Sequence, residues 1–521
     1  MTQLFTAAEI AALTGGRLAA GDPNAGVSGI AWDSRLVRPG DCFVALAGER
    51  ADGHDFAAQA AARGAACVLA ARPVPAGDAA VVVCPDPLLG LGRLGLALRS
   101  RHPHLRVVGI TGSVGKTTTK EMTAAVLAER FRVFRTEGNL NSEVGLPASL
   151  AGLTDEHEAA VLEMGMRAPG EIAYLASIAR PQVGVVTNVG ITHLELLGTQ
   201  ENIALAKSEL VRALPPDGVA VLNADDPRVR AMAAATPARV WFYGLTAREA
   251  ADDAAAAPVA TGTAGEAGTP GGRVVGWVTA ENARPDGPMA QRFRLVCHLG
   301  EADVRLPAPG PHNLLNALAA AAVGLSQGLD LEAVARGLSL FRNAGNRLRL
   351  VEAGGVRILD DTYNAAPASV IAALEVMRGF AGPEGRCVAV LGDMYELGAL
   401  EVEGHRQVGM VAARLTDELV AVGQLGRHIA EGARAALAGA GGGSAGAGFR
   451  GGEGPPEGQG PVAGGGTRLR EVHHVPDNAG AIAWLKERLR PGDTVLVKGS
   501  RGMKMEEIVQ ALAAHLDRPQ P

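Results

Sequence analysis

Aromatic side chains are scarce in this sequence: 3% of 521 residues, with four tryptophans and four tyrosines. Its cores must therefore be built from Val, Leu, Ile and Ala, and a hydrophobic content of 47% supplies enough for several packed units. Cysteine is as sparse. Cys42, Cys67, Cys84, Cys297 and Cys387 form no CxxC pair and no even framework. That argues against a disulfide scaffold and for buried free thiols in a reducing cytosol. There is no basic excess either; a formal net charge of −6 gives no sign of the positive stripe of a nucleic-acid binder. No run approaches the roughly 18 uninterrupted apolar residues of a membrane helix. The opening "MTQLFTAAEIAALTGG" lacks the basic stretch and apolar core of a secretory leader. A cytoplasmic location is expected.

What the chain does have is alternation. Short β runs, "DCFVAL", "CVLA", "RVVGIT", "AAVLEMG", "VGVVTNV", "VAVLNAD", "RILDDTY", "CVAVLG", "ELVAVG" and "DTVLVKG", alternate with Ala/Leu-rich helical text. Continuous apolar runs of this length fit strands covered on both faces, so the expected fold is α/β with mostly parallel sheets. At roughly 100–200 residues per domain the length allows about three. The first hundred residues make a smaller unit closed by "PLLGLGRLGLALRSRHP". The helical text from Leu314 to Leu340 ends a middle unit, and a new strand-helix series starts near Leu348. The expected limits are 1–103, 104–345 and 346–521. Two Gly/Ala-rich stretches, Ala251–Gly272 and Ala438–Gly466, read as surface insertions, since they cannot bury enough apolar surface to order themselves.

"VVGITGSVGKTTTKEM" carries the sharpest chemical signal. Gly112 and Gly115 let backbone approach an anion, and the helix that follows turns its N-terminal amides to the same spot. Lys116 supplies a cation for phosphates and Thr117 a hydroxyl for Mg²⁺. The spacing is a variant: Ile110 stands where the usual phosphate loop has its first glycine, so an ordinary glycine turn with a solvated lysine stays open. The chain has no Asn-Lys pair for guanine, which favours ATP.

Glu163 is expected at the end of one apolar strand and His193 just beyond the next, where ligands collect in open α/β sheets. Together with Thr117 they form a candidate Mg²⁺ set. Lys207, on the helical "NIALAKSELVRAL", reads on its own as a solvated lysine. Asn313 and Asn316, at the start of a helix after Pro-Gly, are either caps or amides for a purine edge.

Assembled, these residues resemble the Mur ligase family. The likeness runs in order through "DSRLVRPGDCFVALAGERADGHDF", "GITGSVGKTTTKEM", "EGNLNSEVGLP", "LEMGM", "TNVGITHLELLGTQENIALAKSE", "PGPHNLLNALAA", "DDTYNAAPASV", "LGDMYELG" and "VKGSRGMKME". The resemblance implies an N-terminal domain for a UDP-muramoyl-peptide, a central ATPase domain and a Rossmann-like C-terminal domain. It implies an ATP- and Mg²⁺-dependent amide ligase, acting as a monomer, that joins D-alanyl-D-alanine to UDP-N-acetylmuramoyl-tripeptide through an acyl phosphate.

Carried over by residue, it assigns Gly112, Ser113, Val114, Gly115, Lys116, Thr117 and Thr118 to the ATP phosphates. Asn313, Arg347 and Asp361 go to the rest of the nucleotide. Thr117, Glu163, His193 and a carbamylated Lys207 go to the metal, with Lys116, Glu163, His193 and Lys207 as the catalytic set. Ser34 and Arg35 match the UDP-substrate motif, Asn139, Asn141 and Ser142 the muramoyl-peptide segment, and Lys498, Ser500 and Arg501 the segment near the dipeptide. Ser142 and Ala366 depart from the family's usual residues, and the Gly-rich stretches look foreign to it. Rival readings are a ligase adding a single amino acid, a folylpolyglutamate synthase, or a non-catalytic module that binds cell-wall precursors. The Asp-Asn-Pro-Arg motif expected of the third-residue ligase is absent, and Thr117-Thr118 stand where the folate enzyme usually has Gly-Ser.

Overall fold

The computed structural model describes residues 2–48, 51–190, 194–256, 272–343, 345–439 and 467–517. Every apolar run named above lies on a strand, and the runs fall into three sheets. The first is five-stranded, in the order Arg17–Ala20, Ala80–Val83, Cys67–Ala70, Asp41–Val44, Gly29–Ala31, parallel except for its first edge. The last is six-stranded: Arg349–Ala353, Val356–Asp360, Thr494–Lys498, Cys387–Gly392, Glu418–Val422, Glu471–Val475, again with one antiparallel edge.

The central sheet has nine strands. At its heart Val183–Val186, Arg106–Thr111 and Ala159–Glu163 run parallel side by side, with Glu163 opposite Ile110 and Val186 opposite Thr111. These strands are buried on both faces, which their Val/Ile/Leu runs require. Helices Lys116–Leu127, Pro311–Ser326 and Leu331–Leu340 pack over one face, while Glu171–Ala179 and Gln200–Arg212 pack over the other. The register therefore delivers the phosphate loop, Glu163 and the segment after Val186 to one edge.

The central sheet also holds an antiparallel extension, Val274–Pro285, Gln291–Cys297 and Gly300–Leu306, that no apolar run announced. Its residues alternate; Gln291–Cys297 buries every second side chain and interleaves arginine between them. A half-exposed strand has period two and lacks the continuous apolar run that marks the parallel strands.

Helix Pro87–Ser100 does more than close the first unit. Asp86 caps it, accepting from the amides of Leu88 and Leu89, with Pro87 in its first turn. It packs against helix Ala7–Thr14 and also against Gly145–Ser149 and Glu171–Ala179 of the central unit. Buried Leu91, Leu94 and Leu98 thus belong to one core that runs from Phe5 across to the central sheet, each worth on the order of 2 kcal/mol. Of the Gly/Ala-rich stretches, residues up to Ala256 extend helix Ala247–Ala256 and those up to Gly439 end helix Gly426–Gly439. Residues 257–271 and 440–466 lie outside the described residues. No helix among the described residues is long and apolar enough to cross a membrane.

Candidate active site

Strand Arg106–Thr111 runs directly into Gly112–Gly115, and helix Lys116–Leu127 starts at once. Gly112 has φ +148° and Gly115 φ +90°. A Cβ on Gly112 would stand 1.8 Å from the Thr187 hydroxyl oxygen, and one on Gly115 2.5 Å from Asn316 Oδ1; only glycine fits either place. The bend is pinned from the neighbouring strand end. Val114 N–H donates to Asn188 Oδ1 at 3.0 Å, and the Val114 carbonyl accepts from Asn188 Nδ2 at 2.9 Å and Thr187 Oγ1 at 2.7 Å.

Lys116 Nζ donates to the Gly112 carbonyl at 2.7 Å. Burial pushes its ammonium below the usual lysine value, opposed by the charge of Glu163 and reinforced by Arg347. Thr117 is the meeting point. Its hydroxyl donates to Glu163 Oε2 at 2.7 Å and accepts from Arg347 Nη2 at 2.9 Å. The other Glu163 oxygen accepts from Asn141 Nδ2 at 2.8 Å. Asn139, Ser142 and Lys498 line the same cavity of 460 Å³, although the Ser142 hydroxyl is also occupied by the Gly145 amide at 3.2 Å. Thr117 and Glu163 are adjacent hard oxygen donors, the chemistry Mg²⁺ takes alongside phosphate and water. Among the described residues no group of three or more His, Cys, Asp or Glu gathers as a metal site, and His193 lies outside the described residues.

Lys207 is not solvated. It is 1% exposed on helix Gln200–Arg212. Burial, then the charge of Lys116, holds its amine well below the ordinary lysine value.

A second cavity, of 380 Å³, shares Val114, Gly115, Arg347 and Lys498 with the first and adds Thr118, Asn313, Asn316, Asp361 and His312. Asn313 Nδ2 donates to the Pro309 carbonyl at 2.8 Å, and Thr119 Oγ1 donates to Asn316 Oδ1 at 3.1 Å. Both amides are thus held in place rather than capping their helix. Among the described residues His312 Nδ1 is buried without a hydrogen-bond partner; burial and then the Lys498 ammonium push the ring's pKa down to about 4.

Some expected residues stand elsewhere. Lys498 pairs with Asp361 Oδ2 at 2.6 Å and donates to the Asn364 carbonyl at 2.8 Å, so it borders both cavities rather than a separate segment. Ser500 is buried and accepts from the Tyr395 amide at 2.9 Å. Arg501 is exposed and pairs with Glu506 at 3.2 Å. Ser34 donates to Gln59 Oε1 at 2.7 Å, and Arg35 turns outward onto Asp33. Their neighbours Trp32, Asp33 and Leu36 line a 680 Å³ cavity between the first and central sheets, together with Arg38, Arg135 and His157.

Three participants escaped the sequence. Asn188 follows strand Val183–Val186 by two residues, and the strand-end rule that found Glu163 would have found it too. Tyr363 lies under Arg347, whose guanidinium is 4.1 Å from the ring centroid. Lys120 is fully buried and donates to the carbonyls of Thr136 at 2.6 Å and Gly138 at 3.2 Å, tying down the loop that carries Asn139 and Asn141.

Three family models match the chain: the Mur ligase family catalytic domain over residues 26–89, the Mur ligase middle domain over 110–324, and the Mur ligase glutamate ligase domain over 346–501. The UDP-N-acetylmuramoyl-tripeptide–D-alanyl-D-alanine ligase of Mycobacterium tuberculosis is 39% identical over 98% of each chain. That of Escherichia coli is 35% identical over 93% of each. Among solved structures, MurF from Acinetobacter baumannii superposes with a TM-score of 0.78 at 31% identity, covering 98% of this chain and 99% of the other. The MurF ligase of Thermotoga maritima in complex with ADP gives 0.71 at 27% identity, covering 94% and 98%.

Proposed function

The chain belongs to the Mur ligase family, and on that premise we propose that it joins D-alanyl-D-alanine to UDP-N-acetylmuramoyl-tripeptide at the expense of ATP. The reading is carried by the meeting of Lys116, Thr117, Glu163 and Arg347 around a glycine bend at the mouth of one cavity. We assign residues 1–103 to the UDP-sugar peptide, 104–345 to ATP and 346–521 to closure over the nucleotide. The segregation of the three sheets supports that division.

A peptide carboxylate is a poor electrophile because oxide is a hopeless leaving group. One carboxylate oxygen attacks the γ-phosphorus of ATP, the bond to ADP breaks, and an acyl phosphate forms. The dipeptide's neutral amine then attacks the acyl carbon. The tetrahedral intermediate loses one of the two amine protons from nitrogen and collapses with loss of inorganic phosphate, leaving an amide that keeps its other N–H. Both partners in the first step are anions, so cations must offset their repulsion. Lys116 and the loop amides face the phosphates, and Arg347 brings a guanidinium from the C-terminal unit onto Thr117. Mg²⁺, held by Thr117, Glu163, His193 and a carbamylated Lys207, would neutralise phosphate charge.

Burial favours the neutral amine of Lys207, and the neutral form is the one that adds to CO₂, giving a carbamate and releasing a proton. Asn313, Asn316 and His312 border the space assigned to adenosine, and Asn139 and Asn141 the space assigned to the muramoyl-peptide. A monomer acting in the cytoplasm, where ATP is supplied, fits this reading.

The test is isotopic. With ¹⁸O in the acceptor's terminal carboxyl, one labelled oxygen should appear in the phosphate released per amide bond formed. Unlabelled phosphate would remove the acyl phosphate from the scheme.

A further inference from the structure

The stretch of chain from 133 to 142 divides two cavities. It begins as Val133–Arg135, the edge strand of the central sheet, and then leaves the sheet. Arg135, Glu137 and Leu140 line the 680 Å³ cavity between the first and central sheets, whereas Asn139, Asn141 and Ser142 line the 460 Å³ cavity of Lys116 and Glu163. An acceptor that reaches from one space to the other passes along this divider. Lys120 grips it from behind. The lysine lines neither cavity and is fully buried on helix Lys116–Leu127, one turn beyond Lys116. Its Nζ donates to the carbonyls of Thr136 at 2.6 Å and Gly138 at 3.2 Å, and pairs with Glu121 Oε1 at 3.2 Å. Glu121 extends the hold to Arg135, at 2.9 Å.

Burying an ammonium is expensive, and even a paired one is often no more stabilising than an apolar side chain of the same volume. Stability alone does not call for a lysine here. What its three donors supply is direction. They hold two carbonyls of an irregular segment at hydrogen-bond distance from the helix that carries Lys116 and Thr117 in its first turn. A second link closes the ring: Asn141 Nδ2 donates to Glu163 Oε1 at 2.8 Å, and Glu163 Oε2 accepts from Thr117 at 2.7 Å. Helix, Glu163 and divider thus make one closed frame. Resting on the ligase reading above, we infer that Lys120 is a positioning residue for the acceptor. By fixing the divider against the helix that receives ATP, it sets the tripeptide's terminal carboxylate against the γ-phosphate without touching either.

Lys120→Met keeps the length and removes all three donors. Lys120→Gln keeps an amide donor and decides the matter by the same criteria if the methionine variant does not fold, as judged by circular dichroism. Both full-length variants are assayed with ATP, UDP-muramoyl-tripeptide and D-alanyl-D-alanine, and the first step is read alone by trapping the acyl phosphate with hydroxylamine. A divider displaced by about 1 Å should raise KM for the tripeptide and lower hydroxamate formation at least ~10-fold. The affinity for ADP in calorimetry and KM for D-alanyl-D-alanine should change less than threefold. A merely structural lysine would shrink the folded fraction, lowering kcat with every KM in place, and that result overturns the inference. So does an unchanged tripeptide KM, a parallel loss of ADP affinity, or failure of both variants to fold. If the parent enzyme itself makes no dipeptide-dependent amide, it is the ligase reading that fails.

Discussion

Alanine at Gly112 is the sharpest perturbation of the phosphate loop. Its Cβ would lie 1.8 Å from Thr187 Oγ1, 3.0 Å from Thr187 Cβ and 3.1 Å from the Thr187 amide nitrogen. An ordinary contact needs roughly 1.5 Å more than the first of these, and turning the threonine away breaks its bond to the Val114 carbonyl, worth about 1 kcal/mol. A φ of +148° adds about 1–3 kcal/mol of backbone strain for any residue with a Cβ. The loop must therefore move by about 1 Å, a displacement that typically lowers the efficiency of a positioned site by ~10²-fold. Gly112→Ala should weaken ADP binding by about that factor in titration calorimetry and lower kcat/KM for ATP in parallel. The melting temperature should fall by only several degrees. Adding Thr187→Ala removes the nearest oxygen but not the strain, so the double variant should regain roughly tenfold. ADP binding by Gly112→Ala within threefold of the parent would refute the steric argument.

Lys116→Ala should reduce ATP-dependent amide formation by at least ~10²–10³-fold, the usual effect of removing one preorganised charge donor, with circular dichroism unchanged; more than a few per cent residual activity would count against the loop assignment. Lys207→Ala should lose activity to a similar degree, and short carboxylates or bicarbonate should restore part of it, since they replace the carbamate; failure of every rescue would disprove carbamylation. His312 titrates near 4 in the folded chain against about 6.5 unfolded, so its neutral form favours the native state. The stability this gives is complete above about pH 6.5 and is lost as pH falls towards 4. His312→Gln should flatten that part of the melting-temperature profile, and an unaltered slope would dismiss the burial argument.

The elements that position the site were legible because each depends on local sequence. Continuous apolar text gave the parallel strands, and the strand-end rule brought Glu163 beside the phosphate loop, as its pairing opposite Ile110 bears out. Lys207 was misread as solvated from its segment alone. Helical text contains Ile203, Ala206 and Leu210, but only the packed helix shows that the lysine shares their buried face. The antiparallel extension went unnoticed because arginine interrupts its apolar positions.

The remainder depends on contacts between distant segments. Arg347 meets Thr117 across 230 residues, and Lys498 reaches Asn364 across 134. No periodicity encodes such meetings: the first joins the C-terminal unit to the central one, and the second joins segments at the ends of two paired strands of one sheet. Glu396, held at φ +65° in the turn after strand Cys387–Gly392, is the clearest case. Glycine or asparagine would have advertised a left-handed turn, whereas glutamate conceals it, and the forces that hold it there come from Ser500, His405 and the helix after Gly423. A residue whose conformation opposes its own preference is fixed by its surroundings. The stabilising groups are then spread over the C-terminal unit while the side chain they serve faces the central one. Sequence reasoning finds the half of an interdomain site whose local rules are obeyed, and the half that breaks them is seen only in the folded chain.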